Sequence, residues 1–171
     1  MRYASIRSMD ISNGQGVGVS LFVQGCHFHC EDCFNQETWD FNGGYEWTQE
    51  IEDKLINLIN RPYITRFSLL GGEPLADENV DTVIHILKVI RNTIFQGTKT
   101  IWMYTGYTWE RVHEDKNLSQ QCEAISLCDV LVDGRYNKEL KDYKYQWAGS
   151  TNQRIIDVQE SLKNKKVVLF Q

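Results

Sequence analysis

The sequence predicts an α/β fold with a mostly parallel sheet, and three observations carry that expectation. Apolar runs rich in β-branched and aromatic residues alternate with stretches of helical periodicity, the order that builds right-handed βαβ units. Each apolar run leads straight into a segment of glycine and polar residues. The 171 residues contain no repeat, no low-complexity tract, no Pro/Ser-rich linker and only two prolines, which fits a single domain, 1–171. A complete (β/α)8 barrel takes ~250 residues, so any barrel of this length is a truncated one.

In chain order, Val17–Val23, Ile64–Leu70, Thr100–Tyr104 and Asp129–Val132 read as buried strands, with Arg154–Val158 as a weaker fifth. A helix is expected over Thr48–Asn60. Its apolar residues are Ile51, Leu55, Leu58 and Ile59, Glu50 and Glu52 sit where a helix N-terminus favours negative charge, and Pro62 follows its end. From Glu78 to Arg91 the apolar stripe Val80, Val83, Ile84, Leu87 and Ile90 has the spacing of one helix face. A third helix is expected over Ser119–Leu127. The strand exits are Gln24-Gly25-Cys26, Gly71-Gly72-Glu73-Pro74, Thr105-Gly106-Tyr107 and Asp133-Gly134-Arg135-Tyr136. Ligands gather at the carboxyl ends of parallel strands, so these segments are expected to face one common site.

With 18 Lys+Arg against 23 Asp+Glu, the formal net charge is −5, which argues against a surface that coats nucleic acid. The start, Met1-Arg2-Tyr3-Ala4-Ser5-Ile6-Arg7, has no apolar signal region, and no stretch approaches the ~20 apolar residues of a membrane span. Five cysteines, three of them within eight positions, do not suit a secreted disulfide scaffold. A cytoplasmic protein that keeps thiolates for metal is the expectation.

Those three, Cys26, Cys30 and Cys33, have the spacing C-x3-C-x2-C. Iron–sulfur clusters are held by cysteine sulfur, and a structural 4Fe–4S cluster normally takes four such ligands. Three leave one iron open to a small molecule. The rival is a Cys3His zinc knuckle with His27 or His29 as fourth ligand, which spacing does not exclude. A zinc knuckle gives no reason for Gly71-Gly72-Glu73-Pro74, whereas an open iron needs a neighbouring site for a bound cofactor. Two glycines let backbone approach a ligand, and the carboxylate of Glu73 can accept hydrogen bonds from an ammonium group.

C-x3-C-x2-C after one strand and Gly-Gly-Glu-Pro after the next resemble the radical S-adenosylmethionine (SAM) superfamily. Within it, further segments resemble the activating enzymes of anaerobic (class III) ribonucleotide reductases. These are Asn13-Gly14-x-Gly16, Cys33-Phe34-Asn35 with Thr38-Trp39, Asp133-Gly134-Arg135-Tyr136, and Trp147-x-Gly149-Ser150-x-Asn152-Gln153-Arg154. The resemblance runs from about Asp10 to Val158. It departs from the family at Gln15, Gly18, Asp32 and Ala148, where proline, arginine, an aromatic residue and arginine are common.

The resemblance implies a radical SAM fold, a truncated (partial) TIM-like (β/α) barrel. It implies one 4Fe–4S cluster on Cys26, Cys30 and Cys33, with SAM chelating the open iron through its amino and carboxylate groups. Gly71, Gly72 and Glu73 would orient the SAM amino group. Asp32 and Phe34 stand at the adenine side, and Asp133 is a ribose or substrate-side ligand. Reductive cleavage of SAM would yield a 5′-deoxyadenosyl radical that takes a Cα hydrogen from one glycine of the reductase large subunit. No side chain beyond cluster and SAM is then needed as a catalyst. The implied partners are that large subunit, an electron donor such as a flavodoxin, and a second copy in a homodimer. Another small radical SAM enzyme, either a different glycyl-radical activase or a deazaguanine-forming one, is the alternative of the same chemistry.

Other motifs have plainer readings. Gly14-Gln15-Gly16-Val17-Gly18 precedes a strand, whereas a dinucleotide fingerprint follows one and opens a helix; a flexible loop near the partner is expected instead. Cys122 and Cys128 are expected in core packing, His85 as a solvated side chain, and the five tryptophans in core or interface. Lys163–Lys166 reads as a solvated helix end.

Overall fold

The structure is a computed structural model that describes residues 1–93 and 99–171. Seven strands, β1 (Arg2–Asp10), β2 (Gly18–Val23), β3 (Tyr45–Glu46), β4 (Arg66–Gly71), β5 (Thr100–Tyr104), β6 (Val130–Asp133) and β7 (Arg154–Asp157), form one sheet in the order β3-β1-β2-β4-β5-β6-β7. The central strands β2, β4, β5 and β6 run parallel, with Val19 beside Phe67, Phe67 beside Ile101 and Met103 beside Leu131. β1 joins one side antiparallel and β7 the other. The sheet is therefore mixed, its parallel part confined to the centre, and no pairing joins β3 to β7 among the described residues.

Helices α1 (Gln49–Ile59), α2 (Asp77–Thr93), α3 (Trp109–Glu114), α4 (Ser119–Ser126) and α5 (Val158–Asn164) complete the fold. α1 starts where Thr48 accepts a hydrogen bond from the Ile51 N–H at 3.3 Å, leaving its N-terminal donors fewer orphans. None of the helices is long and apolar enough to cross a membrane among the described residues.

Alternation along the strands splits the sheet into two unlike faces. Val19, Leu21, Val23, Phe67, Leu69, Ile101, Met103 and Leu131 pack with Leu55 and Ile59 of α1 and Val83, Leu87 and Ile90 of α2 in the main core. The intervening residues, among them Ser20, Arg66, Ser68, Trp102 and Tyr104, face the other way. There Trp102, Val130 and Val132 meet Trp147, Ile155 and Phe170 in a smaller cluster. The loop before β2 closes over the rest: Ser68 donates to the Asn13 carbonyl at 2.6 Å, and Arg66 donates to the Asp10 carbonyl at 2.6 Å. The glycine-rich segment 14–18 is thus a cover for this face. Gly18 sits beside Arg66 in register, and the Arg66 guanidinium fills the space a side chain at Gly18 would take.

Cys128 is buried in the main core and Cys122 packs against it, as expected. His85 is exposed, yet it is not merely solvated: its Nε2 lies 3.0 Å from the buried carboxylate of Glu52, which also accepts from the Trp47 indole at 3.1 Å. Lys163, Lys165 and Lys166 lie at the exposed end of α5.

Candidate functional site

The carboxyl ends of the parallel strands open into a cavity of about 360 Å³. Every strand exit contributes to its wall: the cysteine loop after β2, Gly71-Gly72-Glu73 after β4, Thr105-Gly106 after β5 and Gly134-Arg135-Tyr136 after β6. Arg7, Asn13 and Gly149 reach it from outside the parallel strands. A second hollow of about 880 Å³ adjoins it and shares Phe28, Cys30, Gly106 and Gly134–Tyr136. These sizes suit small-molecule sites.

The cysteine loop is folded back on itself by backbone bonds. Gly25 N–H donates to the Thr38 carbonyl at 2.7 Å, Cys26 N–H to the Trp39 carbonyl at 3.1 Å, and Cys33 N–H to the Cys30 carbonyl at 3.1 Å. Cys26, Cys30 and Cys33 are free, half-buried and all line the 360 Å³ cavity. Burial pushes the Cys26 and Cys33 thiols up, while backbone N–H groups near each sulfur and the Trp39 indole near Cys33 work against that rise. The Asn35 N–H donates to the Cys33 sulfur at 3.4 Å.

Neither histidine of the loop lines the cavity. The His27 ring nitrogen lies 2.9 Å from Glu78 and its ring rests on Phe41; the His29 ring stacks on Trp39 at 4.5 Å. Among the described residues no three His, Cys, Asp or Glu side chains converge on a point that could hold a single metal ion. A donor set of three soft thiols around one cavity, without an aimed imidazole, fits a cluster with cysteine ligands better than a Cys3His zinc site.

Glu73 is 3% exposed and is held from three directions. Its carboxylate accepts from the Leu75 N–H at 2.9 Å, the Thr105 hydroxyl at 2.7 Å and the Gly106 N–H at 2.8 Å. Burial pushes its pKa up to about 7 against the pull of those donors. Glu73 therefore ties the exit of β4 to the exit of β5. Its glycine neighbours also have structural reasons to be glycine. Gly71 has φ +101°, and a Cβ on Gly72 would lie 2.4 Å from the Gly25 carbonyl oxygen.

The remaining expected residues divide. Phe34, 56% exposed, lines the cavity with its ring 5.1 Å from Tyr136. Asp32 is exposed, with φ +57°, and lines neither the cysteine cavity nor the larger hollow. Asp133 lines the larger hollow, not the cysteine cavity. Its buried carboxylate accepts from the Trp109 N–H at 2.8 Å and from Arg154 Nε at 3.0 Å, and Arg154 reaches on to Glu110 at 2.8 Å.

Sequence reasoning expected Arg135 and Tyr136 only to face the common site and Trp39 only to pack in core or interface, and it gave Tyr104 no role. Arg135 donates to the Phe28 carbonyl at 2.8 Å and lies over the Phe28 ring, bracing the cysteine loop. The Tyr104 and Tyr136 hydroxyls and the Trp39 indole nitrogen are buried with no hydrogen-bond partner. Arg135, Tyr136 and Trp39 lie in segments that carry the family resemblance; Tyr104 carried no signal beyond ending a strand.

Residues 12–156 match the model of the 4Fe-4S single cluster domain family. Curated relatives share the name anaerobic ribonucleoside-triphosphate reductase-activating protein. The Salmonella typhi protein is 38% identical over 90% of this chain and 96% of its own length. The Escherichia coli K12 protein is 37% identical over the same shares. The phage T4 protein is 34% identical over 91% of this chain and 93% of its own length. With three cysteines lining one cavity and these matches along nearly its whole length, the chain belongs to the 4Fe-4S single cluster domain family, among the anaerobic ribonucleoside-triphosphate reductase-activating proteins.

Proposed function

We propose that this chain is a radical SAM activase that installs a glycyl radical on the large subunit of an anaerobic ribonucleotide reductase. Cys26, Cys30 and Cys33 hold a 4Fe–4S cluster, and the iron without a cysteine is open to SAM. The observation that carries this reading is the common cavity. All three thiols line it together with the Gly71-Gly72 backbone, and both loop histidines are engaged outside it. In this reading the sheet is part of an incomplete (β/α) barrel of the radical SAM type, open on the face that carries the site.

When bound, cluster and SAM supply the chemistry: one-electron reductive cleavage of the sulfonium and hydrogen abstraction from the target glycine. The protein's task is position and exclusion of water. The Gly71-Gly72 backbone, which lines the cavity, would border the SAM amino group, and Glu73 anchors that segment to Thr105 and Gly106. Glu73 thus acts mainly through the loops it joins. Phe34, with Tyr136 behind it, offers an apolar wall for the adenine. Asp133 positions Arg154 and the entry of α3, in place of binding the ribose. Asp32, outside the cavity, is given no contact. A one-electron donor such as a flavodoxin completes the cycle.

The test is anaerobic incubation with the reductase large subunit, SAM and a reductant. A glycyl radical signal by electron paramagnetic resonance (EPR), with methionine formed, is expected. Methionine release without that radical would move the chain to another radical SAM activity.

A further inference from the structure

Trp39 buries a polar atom against the cysteine loop. Its carbonyl is fixed by the Cys26 N–H at 3.1 Å and its ring is stacked on His29 at 4.5 Å with 15° between planes. Backbone and ring are therefore both held. Yet its indole Nε1 is buried and meets no acceptor within full hydrogen-bond geometry, while it lies close enough to the Cys33 sulfur to favour that thiol's ionised form. A buried N–H left without a hydrogen bond is costly, so such groups call for a partner. An indole nitrogen is a donor only, and the one residue type beside it that gains acceptor strength on binding metal is the thiolate.

We propose that Trp39 is the hydrogen-bond donor that sets the reduction potential of the cluster on Cys26, Cys30 and Cys33. The inference rests on the ligand assignment made above and adds to it a residue that touches sulfur, not iron. Reduction adds one negative charge to the cluster. An N–H aimed at a ligand or cluster sulfur stabilises the reduced form more than the oxidised one and so raises the potential. The Asn35 N–H on Cys33 supplies a second donor from the backbone, which no side-chain change removes. Trp39 is then the adjustable one.

The experiment is an EPR-monitored redox titration of the reconstituted protein, with Trp39→Phe and with Trp39 replaced by benzothienylalanine, which keeps the bicyclic shape and lacks the N–H. Iron content and SAM affinity are measured alongside. Both variants are expected to keep iron and bind SAM, while the potential falls. The expected size is roughly a tenfold lower ratio of reduced to oxidised cluster at fixed applied potential, ~59 mV for a one-electron couple. An unchanged potential in the benzothienylalanine protein, with iron retained, overturns the proposal. So does loss of the cluster in both variants, which would make Trp39 a scaffold residue. If the unmodified protein assembles no 4Fe–4S cluster on these cysteines, the ligand assignment itself falls.

Discussion

Replacing Glu73 by glutamine tests whether this carboxylate is an internal tie. The amide keeps one acceptor oxygen, which can serve the Leu75 N–H and Thr105 hydroxyl, now at 2.9 and 2.7 Å. Its NH2 group then faces the Gly106 N–H, now 2.8 Å from the second carboxylate oxygen, and one donor is left unmet. That loss costs about 1.5–3 kcal/mol. Against it stands the cost of burying a charge. The folded pKa is about 7 against an ordinary 4.5, so the native state holds its proton more tightly than the unfolded chain. The stability this contributes is full below the unfolded value and is lost as pH rises through the folded one. Between pH 6 and pH 8, linkage gives a loss of about 1.4 kcal/mol, tenfold in the folding constant, that glutamine does not share. Urea unfolding of both iron-free proteins, followed by tryptophan fluorescence, measures it. The wild-type advantage over Glu73→Gln should shrink by that amount from pH 6 to pH 8. A gap that stays flat or widens refutes the reasoning.

Other expectations follow from the same contacts. Asp133→Ala leaves the buried Trp109 N–H without its acceptor and takes from Arg154 one of its two carboxylate partners, Glu110 remaining; a fully buried broken pair costs ~3–5 kcal/mol, and the partial exposure of Arg154 and its retained partner lower this to roughly 1–3 kcal/mol by denaturant melts. Alanine at Cys26, Cys30 or Cys33 should abolish SAM cleavage and most iron retention. Alanine at Cys122 or Cys128, packed in the core, should leave iron per chain unchanged, and iron loss there would show a misassigned ligand set.

What could be read from the sequence was what depends on period and on strong local chemistry. Four parallel strands, three helices and the convergence of their exits appear because Val, Ile and Leu repeat at the right spacing and glycines follow. β1 and β3 did not show. β1 is an outer strand with Ser5, Arg7, Ser8 and Met9 exposed, so its alternation is weak, and β3 is two residues long. α3 and α5, six and seven residues, are shorter than the two turns that reveal a stripe. The mixed edges escaped for a topological reason: the connection from β6 to β7 carries no crossover helix, so the chain returns antiparallel. At the site, residue type predicted the thiols, but long-range partners decided the carboxylates. Nothing near Glu73 or Asp133 in sequence announces Gly106, Thr105 or Arg154, each more than 20 positions away.

The central claim is a cluster with one iron left for SAM. Electron–nuclear double resonance on the reduced protein, with SAM carrying 15N in its amino group and 13C in its carboxylate, tests it directly. Resolved coupling of both labels to the cluster spin is the expected result, vanishing when any one of Cys26, Cys30 or Cys33 is replaced. A fully formed cluster that binds SAM without coupling to either label would contradict it, as would a colourless protein holding zinc on the same sulfurs.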